Sequence, residues 1–172
     1  MSKYRRAGQV YEGKAKRLFD VEGHPELIWQ QYKDDLTAFN AQKRGAFPGK
    51  GALNCEVSSS AFSRLEAAGI KTHRIERVSE TEEVVRRLRM IPLEVVVRNW
   101  LTGSTAKRLG RPDGEVLPKP LLEFYFKDDS LGDPFVSDDQ ALMLGAVREQ
   151  QELSKMKALA LRVNDHLLGL FR

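Results

Sequence analysis

The chain has 172 residues, 41% of them hydrophobic and 30% charged, with a formal net charge of +4. These proportions suit a globular protein with room for a substantial core, as one compact unit or two small lobes, and no apolar run approaches the ~20 residues that span a bilayer, which excludes a membrane role. The single cysteine, Cys55, excludes an intrachain disulfide and a multi-cysteine zinc site, and the polar, basic stretch Met1 to Gln9 carries no signal-peptide core, so a reducing, cytoplasmic setting is expected.

In chain order, Val10 to Val21 reads as a strand, a tight turn at Gly13 and a second strand, and Leu27 to Tyr32 as a further strand after the turn Gly23-His24-Pro25. Together they predict an N-terminal antiparallel sheet. From Asn54 to Ala68, the residues Val57, Ala61, Phe62 and Leu65 fall on one helical face, with Asn54 as N-cap and Gly69 at the C-terminal end. Ser79-Glu80-Thr81-Glu82 has a capping-box pattern and predicts a helix running through Val84, Val85 and Leu88. A strand follows over Leu93 to Val97. Pro112-Asp113-Gly114 is a turn, Pro118 and Pro120 exclude helix interior, and Leu121 to Lys127 is a strand. Helical patterns then occupy Ser137 to Leu144 and Val147 to Phe171. In the latter, Leu153, Met156, Leu159, Ala160, Val163, Leu167 and Leu170 form a stripe that needs a sheet to cover. This order of elements predicts an α+β protein.

Several segments carry chemistry. Lys14 and Lys16 alternate with the small residues Gly13 and Ala15, so both ammonium groups can face one side while a phosphate approaches the backbone; a solvated edge strand would read the same way. The sequence contains no Gly-Lys-Ser or Gly-Lys-Thr, so this is not a Walker loop. Arg98, delivered by the apolar run Val95 to Val97, can grip phosphate or carboxylate or pair with a neighbour such as Glu94, and Ser104 follows Gly103 in a turn. Lys127, Asp128, Asp129 and Asp133 combine a cation with three carboxylates, enough for the two charged ends of an amino acid, for Mg²⁺, or for a polar turn before a helix. Pro48 to Asn54 is a glycine-rich approach to a helix, suited to an anion or to an ordinary loop. His24, His73 and His166 show no metal or triad spacing. The positive charges are interleaved with Asp and Glu, the longest cluster being Arg86-Arg87-Leu88-Arg89, and the aromatics fall in apolar strand patterns, against nucleic-acid binding.

Tyr11-Glu12-Gly13-Lys14-Ala15-Lys16, the block from Val97-Arg98-Asn99 to Arg108, and Phe126-Lys127-Asp128-Asp129-Ser130-Leu131-Gly132-Asp133-Pro134 together resemble the SAICAR synthetase family, ATP-using ligases of purine synthesis. The resemblance implies an ATP-grasp-like α+β fold. Residues 1–89 would form a β-rich lobe that binds ATP phosphates, and residues 90–172 a substrate-binding α+β lobe ending in a long amphipathic helix. It implies ATP and Mg²⁺ as cofactors, with Gly13, Lys14, Ala15 and Lys16 on the phosphates, Lys14 and Lys16 as catalytic groups, and Met90, with Ile91 and Pro92, at the adenine. Arg98 and Ser104 would hold carboxyaminoimidazole ribotide, and Lys127 and Asp133 would hold L-aspartate; no metal ligand is assigned. Assembly into a homo-oligomer is compatible with this reading. Family members continue past the helix that ends in Phe171-Arg172, into strands whose acidic residues hold Mg²⁺–ATP. A catalytically silent nucleotide- or ribotide-binding relative is therefore the alternative. Asn40 stands where many relatives carry aspartate.

Overall fold

A computed structural model describes residues 2–38 and 43–170; Asn40 and Phe171-Arg172 lie outside the described residues. The chain is α+β and divides into two compact units, Met1–Arg89 and Met90–Arg172.

The N-terminal unit contains strands β1 (Arg6–Glu12), β2 (Lys16–Val21), β3 (Leu27–Tyr32), β4 (Asp35–Ala38) and β5 (Lys43–Ala46), helix α1 (Lys50–Ala67), and strands β6 (Arg74–Arg77) and β7 (Glu82–Arg86). Five of the strands form an antiparallel sheet in the order β1-β2-β3-β7-β6, while β4 and β5 pair separately. The expected strand-turn-strand is present, closed by the Gly13 N–H donating to the Lys16 carbonyl at 2.8 Å. β1 is exposed along its whole length, as an edge strand can be. Register places Phe19 opposite Trp29 and Trp29 opposite Val84, so one face carries the apolar cluster of Val21, Leu27, Trp29 and Val84. The opposite face carries Lys16, Gln30, Tyr32 and Glu83, with Lys16 opposite Tyr32 and Gln30 opposite Glu83.

The helix expected from Ser79 through Leu88 is instead the β6–β7 hairpin. Val84 and Val85 are both buried, and adjacent residues on a strand point to opposite faces, so both can be covered. Burying each is worth roughly 1.5–3 kcal/mol, which outweighs the few tenths per residue of local helix preference. The capping-box residues make the turn: Val78 N–H and Ser79 N–H donate to the Glu82 carbonyl at 2.9 and 3.3 Å, and Thr81 N–H donates to Ser79 Oγ at 3.3 Å.

α1 starts four residues earlier than expected, and Asn54 lies inside it. Its cap comes from a distant segment: the Asp34 carboxylate accepts from Gly49 N–H at 3.2 Å and Gly51 N–H at 2.7 Å. The N–H groups of the glycine-rich segment are thus used by the protein's own anion. At the other end Gly69 takes a left-handed conformation, φ +73°, and Ile70 N–H reaches back to the Leu65 carbonyl. The buried face is Gly51, Cys55, Ser59 and Leu65; of the apolar stripe read from sequence Leu65 is buried, Ala61 and Phe62 are half-buried and Val57 is exposed.

The C-terminal unit contains β8 (Leu93–Leu101), α2 (Gly103–Leu109), β9 (Glu115–Phe126), β10 (Phe135–Val136), α3 (Asp138–Met143) and α4 (Gln150–Leu170). The antiparallel sheet runs β10-β9-β8. β9 begins earlier than expected and includes both prolines, because residues 117–120 lie between the pairs Trp100↔Val116 and Arg98↔Leu121, outside the ladder. One face of β8–β9 presents Leu93, Val95, Leu122, Phe124 and Phe126 to a core completed by Val136, Ala141, Ala146, Val147 and Leu153. The predicted α3 is capped by Ser137 and Gln140 in a reciprocal capping box. Along α4, Leu153 is fully buried, whereas Leu159 is exposed beside a groove of about 490 Å³ lined by Val95, Val97, Met156 and Val163. Among the described residues no helix is long and apolar enough to cross a membrane.

A Cβ at Gly51 would sit 2.9 Å from the Tyr32 carbonyl oxygen and 3.1 Å from Asp34 Oδ1. Gly51→Ala is expected to cost about 1–3 kcal/mol in displaced backbone, more than the gain of up to about 1 kcal/mol in helix preference. A lowered urea midpoint would show it.

Candidate functional site

In the N-terminal unit the two lysines of the motif have different surroundings. Lys14 is exposed at the turn, while Lys16, on β2, is half-buried on the face shared with Gln30, Tyr32 and Glu83. Lys16 Nζ donates to Gln30 Oε1 at 3.1 Å and lies 4.5 Å from the centroid of the Tyr32 ring. Tyr32 in turn donates its hydroxyl proton to Glu83 Oε2 at 2.9 Å, and Ser59 of α1 donates to Glu83 Oε1. Arg74 Nε is 3.8 Å from the same carboxylate. Burial pushes the Lys16 pKa down, opposed by the charge of Glu83, and pushes the Tyr32 and Cys55 pKa values up. His73, packed edge-on against Phe62, is held below the usual histidine range, first by burial and then by the positive charge of Lys16.

In the C-terminal unit the polar face of β8–β9 does comparable work. Arg98 lies beside the irregularity in β8, and its Nε donates to Glu123 Oε2 at 2.7 Å. Arg108 of α2 donates from Nη2 to Glu123 Oε1 at 2.7 Å, with its guanidinium 4.4 Å from the Phe135 ring centroid. Thr105 and Tyr125 donate their hydroxyl protons to the same carboxylate, at 2.9 and 3.2 Å to Oε2. Burial raises the Glu123 pKa, but the hydrogen bonds from Arg98, Thr105 and Arg108 and the charge of Arg98 outweigh it, and the net shift is downward. The pairing of Arg98 with Glu94 that sequence left open is not made. Ser104 is exposed in the first turn of α2, next to Gly103, whose N–H donates to Asp113 Oδ1 at 2.8 Å. Asn99 and Asn164 exchange two amide hydrogen bonds, at 2.8 and 3.2 Å, tying β8 to α4.

Lys127 and Asp133 are brought together at 2.5 Å, with Glu94 3.7 Å from the same ammonium group. The Asp133 pairing raises the Lys127 pKa. Asp133 has a left-handed backbone, φ 50°, which is uncommon outside glycine, and its Oδ1 accepts from Asp128 N–H at 3.0 Å. Asp128 instead caps the short turn at Asp129–Leu131 by accepting from Ser130. Among the described residues no group of three or more His, Cys, Asp or Glu side chains is disposed to hold a metal ion. Met90 is exposed.

The profile of the family described as SAICAR synthetase matches residues 9–172. The chain belongs to the SAICAR synthetase family. The phosphoribosylaminoimidazole-succinocarboxamide synthase of Campylobacter jejuni is 51% identical over 162 residues, covering 94% of this chain and 68% of that protein. The crystal structure of the corresponding synthase from Ehrlichia chaffeensis superposes with a TM-score of 0.88 at 40% identity, covering 95% of this chain and 68% of the other. A SAICAR synthetase solved in complex with ADP gives a TM-score of 0.84 at 43% identity, covering 91% and 66%.

Reading the family motifs alone misses the groups that hold them. Glu83, Tyr32 and Gln30 surround Lys16, and Glu123, Thr105, Arg108 and Tyr125 surround Arg98. One signal was available for Glu123: a lone carboxylate inside Leu-Leu-Glu-Phe-Tyr-Phe is costly to bury without cations. Glu83, in Glu-Thr-Glu-Glu-Val-Val, was hidden by the expectation of a helix.

The depressed pKa of His73 has a definite sign for stability. The unfolded chain takes up the proton first as pH falls, so stability declines below the ordinary histidine range. Urea unfolding between about pH 7 and about pH 5 should show this slope, and His73→Phe should flatten it.

Proposed function

We propose that this chain acts as an ATP-dependent carbon–nitrogen ligase of purine biosynthesis, in the cytoplasm, joining the carboxylate of carboxyaminoimidazole ribotide to the amine of L-aspartate. The observation that carries the reading is the extent of the family match, residues 9–172, which takes in all three motif blocks. The ADP complex of a 43% identical relative supports a nucleotide as one ligand.

In this reading residues 1–89 bind the phosphates of ATP and residues 90–172 bind the two acceptor substrates. The Gly13 to Lys16 turn receives the phosphates, with Lys14 as the exposed cation and Lys16 as the one held against Tyr32. Met90 lies against the adenine. Arg98 and Ser104 bind the ribotide, and Lys127 and Asp133 bind aspartate, Lys127 toward its carboxylates and Asp133 toward its ammonium group. A carboxylate oxygen is a poor leaving group, so the ribotide carboxylate first attacks the γ-phosphorus and ADP departs. The aspartate amine, having lost a proton, then attacks the acyl carbon, the C–O bond to phosphate breaks, and inorganic phosphate leaves. The contribution of the side chains is positioning and neutralisation of negative charge.

Phosphate release from ATP with magnesium, ribotide and aspartate, each omitted in turn, tests the reading. Turnover requiring all three substrates is expected. Lys16→Gln should lower kcat by roughly 10²–10³-fold, the usual effect of removing one preorganised charge donor from phosphoryl transfer. Arg98→Leu should raise KM for the ribotide by roughly 10–100-fold, as for a lost charged hydrogen bond, with little change in KM for ATP. ATP or ribotide binding in calorimetry without turnover would instead identify a binding protein of the same family.

A further inference from the structure

We propose that Glu123 is a positioning residue, fixing the Arg98 guanidinium to receive an anionic group of the ribotide; this rests on the assignment of Arg98 to that substrate. Four donors converge on the one buried carboxylate: Arg98, Arg108, Thr105 and Tyr125. Glu123 lies diagonally across the β8–β9 ladder from Arg98, since Val96 is opposite Glu123 and Arg98 is opposite Leu121. Its contact with Arg98 is made through Nε, at the side of the guanidinium, and so does not consume the terminal fork that binds phosphate and carboxylate bidentately. Thr105 bonds to both carboxylate oxygens and also lies 3.1 Å from the Tyr125 hydroxyl, which limits rotation of the carboxylate. A flexible arginine would have to be ordered when substrate arrives, whereas this one is ordered beforehand, and preordering of that kind is recovered as affinity. The second arginine keeps the cluster cationic, because two guanidinium groups face one carboxylate.

A purely structural carboxylate would affect all ligands alike, through the fraction of folded protein. A positioning role is specific to the ligand of Arg98 and vanishes when Arg98 is absent. The test is calorimetric binding of carboxyaminoimidazole ribotide and, separately, of ATP to the full chain, to Glu123→Gln, to Arg98→Leu and to the double variant. Expected is a loss of about tenfold or more in ribotide affinity for E123Q, unchanged ATP affinity, and no further loss when E123Q is added to R98L. Equal losses for both ligands, or an E123Q effect of the same size in the R98L background, would overturn the proposal. If E123Q does not fold, Glu123→Asp, which keeps the charge but withdraws it from Arg98, takes its place in the same comparison. If the unaltered chain binds no ribotide, the ligase reading fails for this chain. The positioning role is then decided by hydrogen exchange of the Arg98 Nε–H in nuclear magnetic resonance, the signal being assigned by its absence in R98L. Faster exchange in the Glu123 variant upholds the fixing of the Arg98 guanidinium by Glu123 without the ribotide as its ligand, and an unchanged rate refutes it.

Discussion

A carboxylate taken out of water costs several kcal/mol unless cations and hydrogen-bond donors replace its hydration, and among the described residues each unit buries one. Glu83 in the N-terminal unit and Glu123 in the C-terminal unit are both almost fully enclosed. Each lies on a sheet and receives hydroxyl protons, and each has arginine beside it: Arg74 near Glu83, and Arg98 and Arg108 on Glu123. The sheets supply the rigidity that makes this worthwhile. Gln30 and Glu83 face each other across β3 and β7, and Glu123 and Arg98 are set by the β8–β9 register, so a slip of one residue in either ladder would send these groups to the apolar face.

This arrangement explains why some of the molecule was legible in the sequence and some was not. The strands on either side of Gly13, the strand from Leu27, the capping box at Ser137 and the long terminal helix all follow from local pattern, and local pattern suffices where an element's neighbours are apolar. It fails where the partner is distant and polar. The α1 start depends on Asp34, fifteen or more residues before the N–H groups it caps, and the buried face of α1 joins Leu65 of the apolar stripe to Gly51, Cys55 and Ser59, the last of which donates to Glu83 on the sheet. Likewise Glu82 to Arg86 carries a helix-like local pattern, and it becomes an interior strand because Val84 and Val85 are buried on its two faces while Tyr32 and Ser59 supply donors to the Glu83 carboxylate that is buried with them.

The motif lysines show the same division at the level of chemistry. A strict alternation would have placed Lys14 and Lys16 side by side, but the turn closes between Gly13 and Lys16, leaving Lys14 at the tip and only Lys16 on the strand. A tip lysine is a mobile, hydrated point charge, whereas Lys16 is held by an amide oxygen and an aromatic face. The two cations can therefore differ in role: attraction of an anion by the first and fixed placement of charge by the second.

Each buried carboxylate cancels one of the positive charges beside it. Around Glu123 stand Arg98 and Arg108, two positive charges against one negative, leaving a net single positive charge; around Glu83 stand Lys16 and Arg74, but Glu66 lies 3.3 Å from Arg74, so there two positive charges meet two negative ones. His73 does not alter the second sum near neutral pH, because burial and Lys16 keep it uncharged. Removing Glu123 would leave Arg98 and Arg108 close together in a poorly solvated place, each driving the other toward solvent. Glu123 instead holds both at fixed distances and cancels only one of their two charges. In the C-terminal unit the buried glutamate is thus what allows two cations to be kept near one point before any ligand is bound.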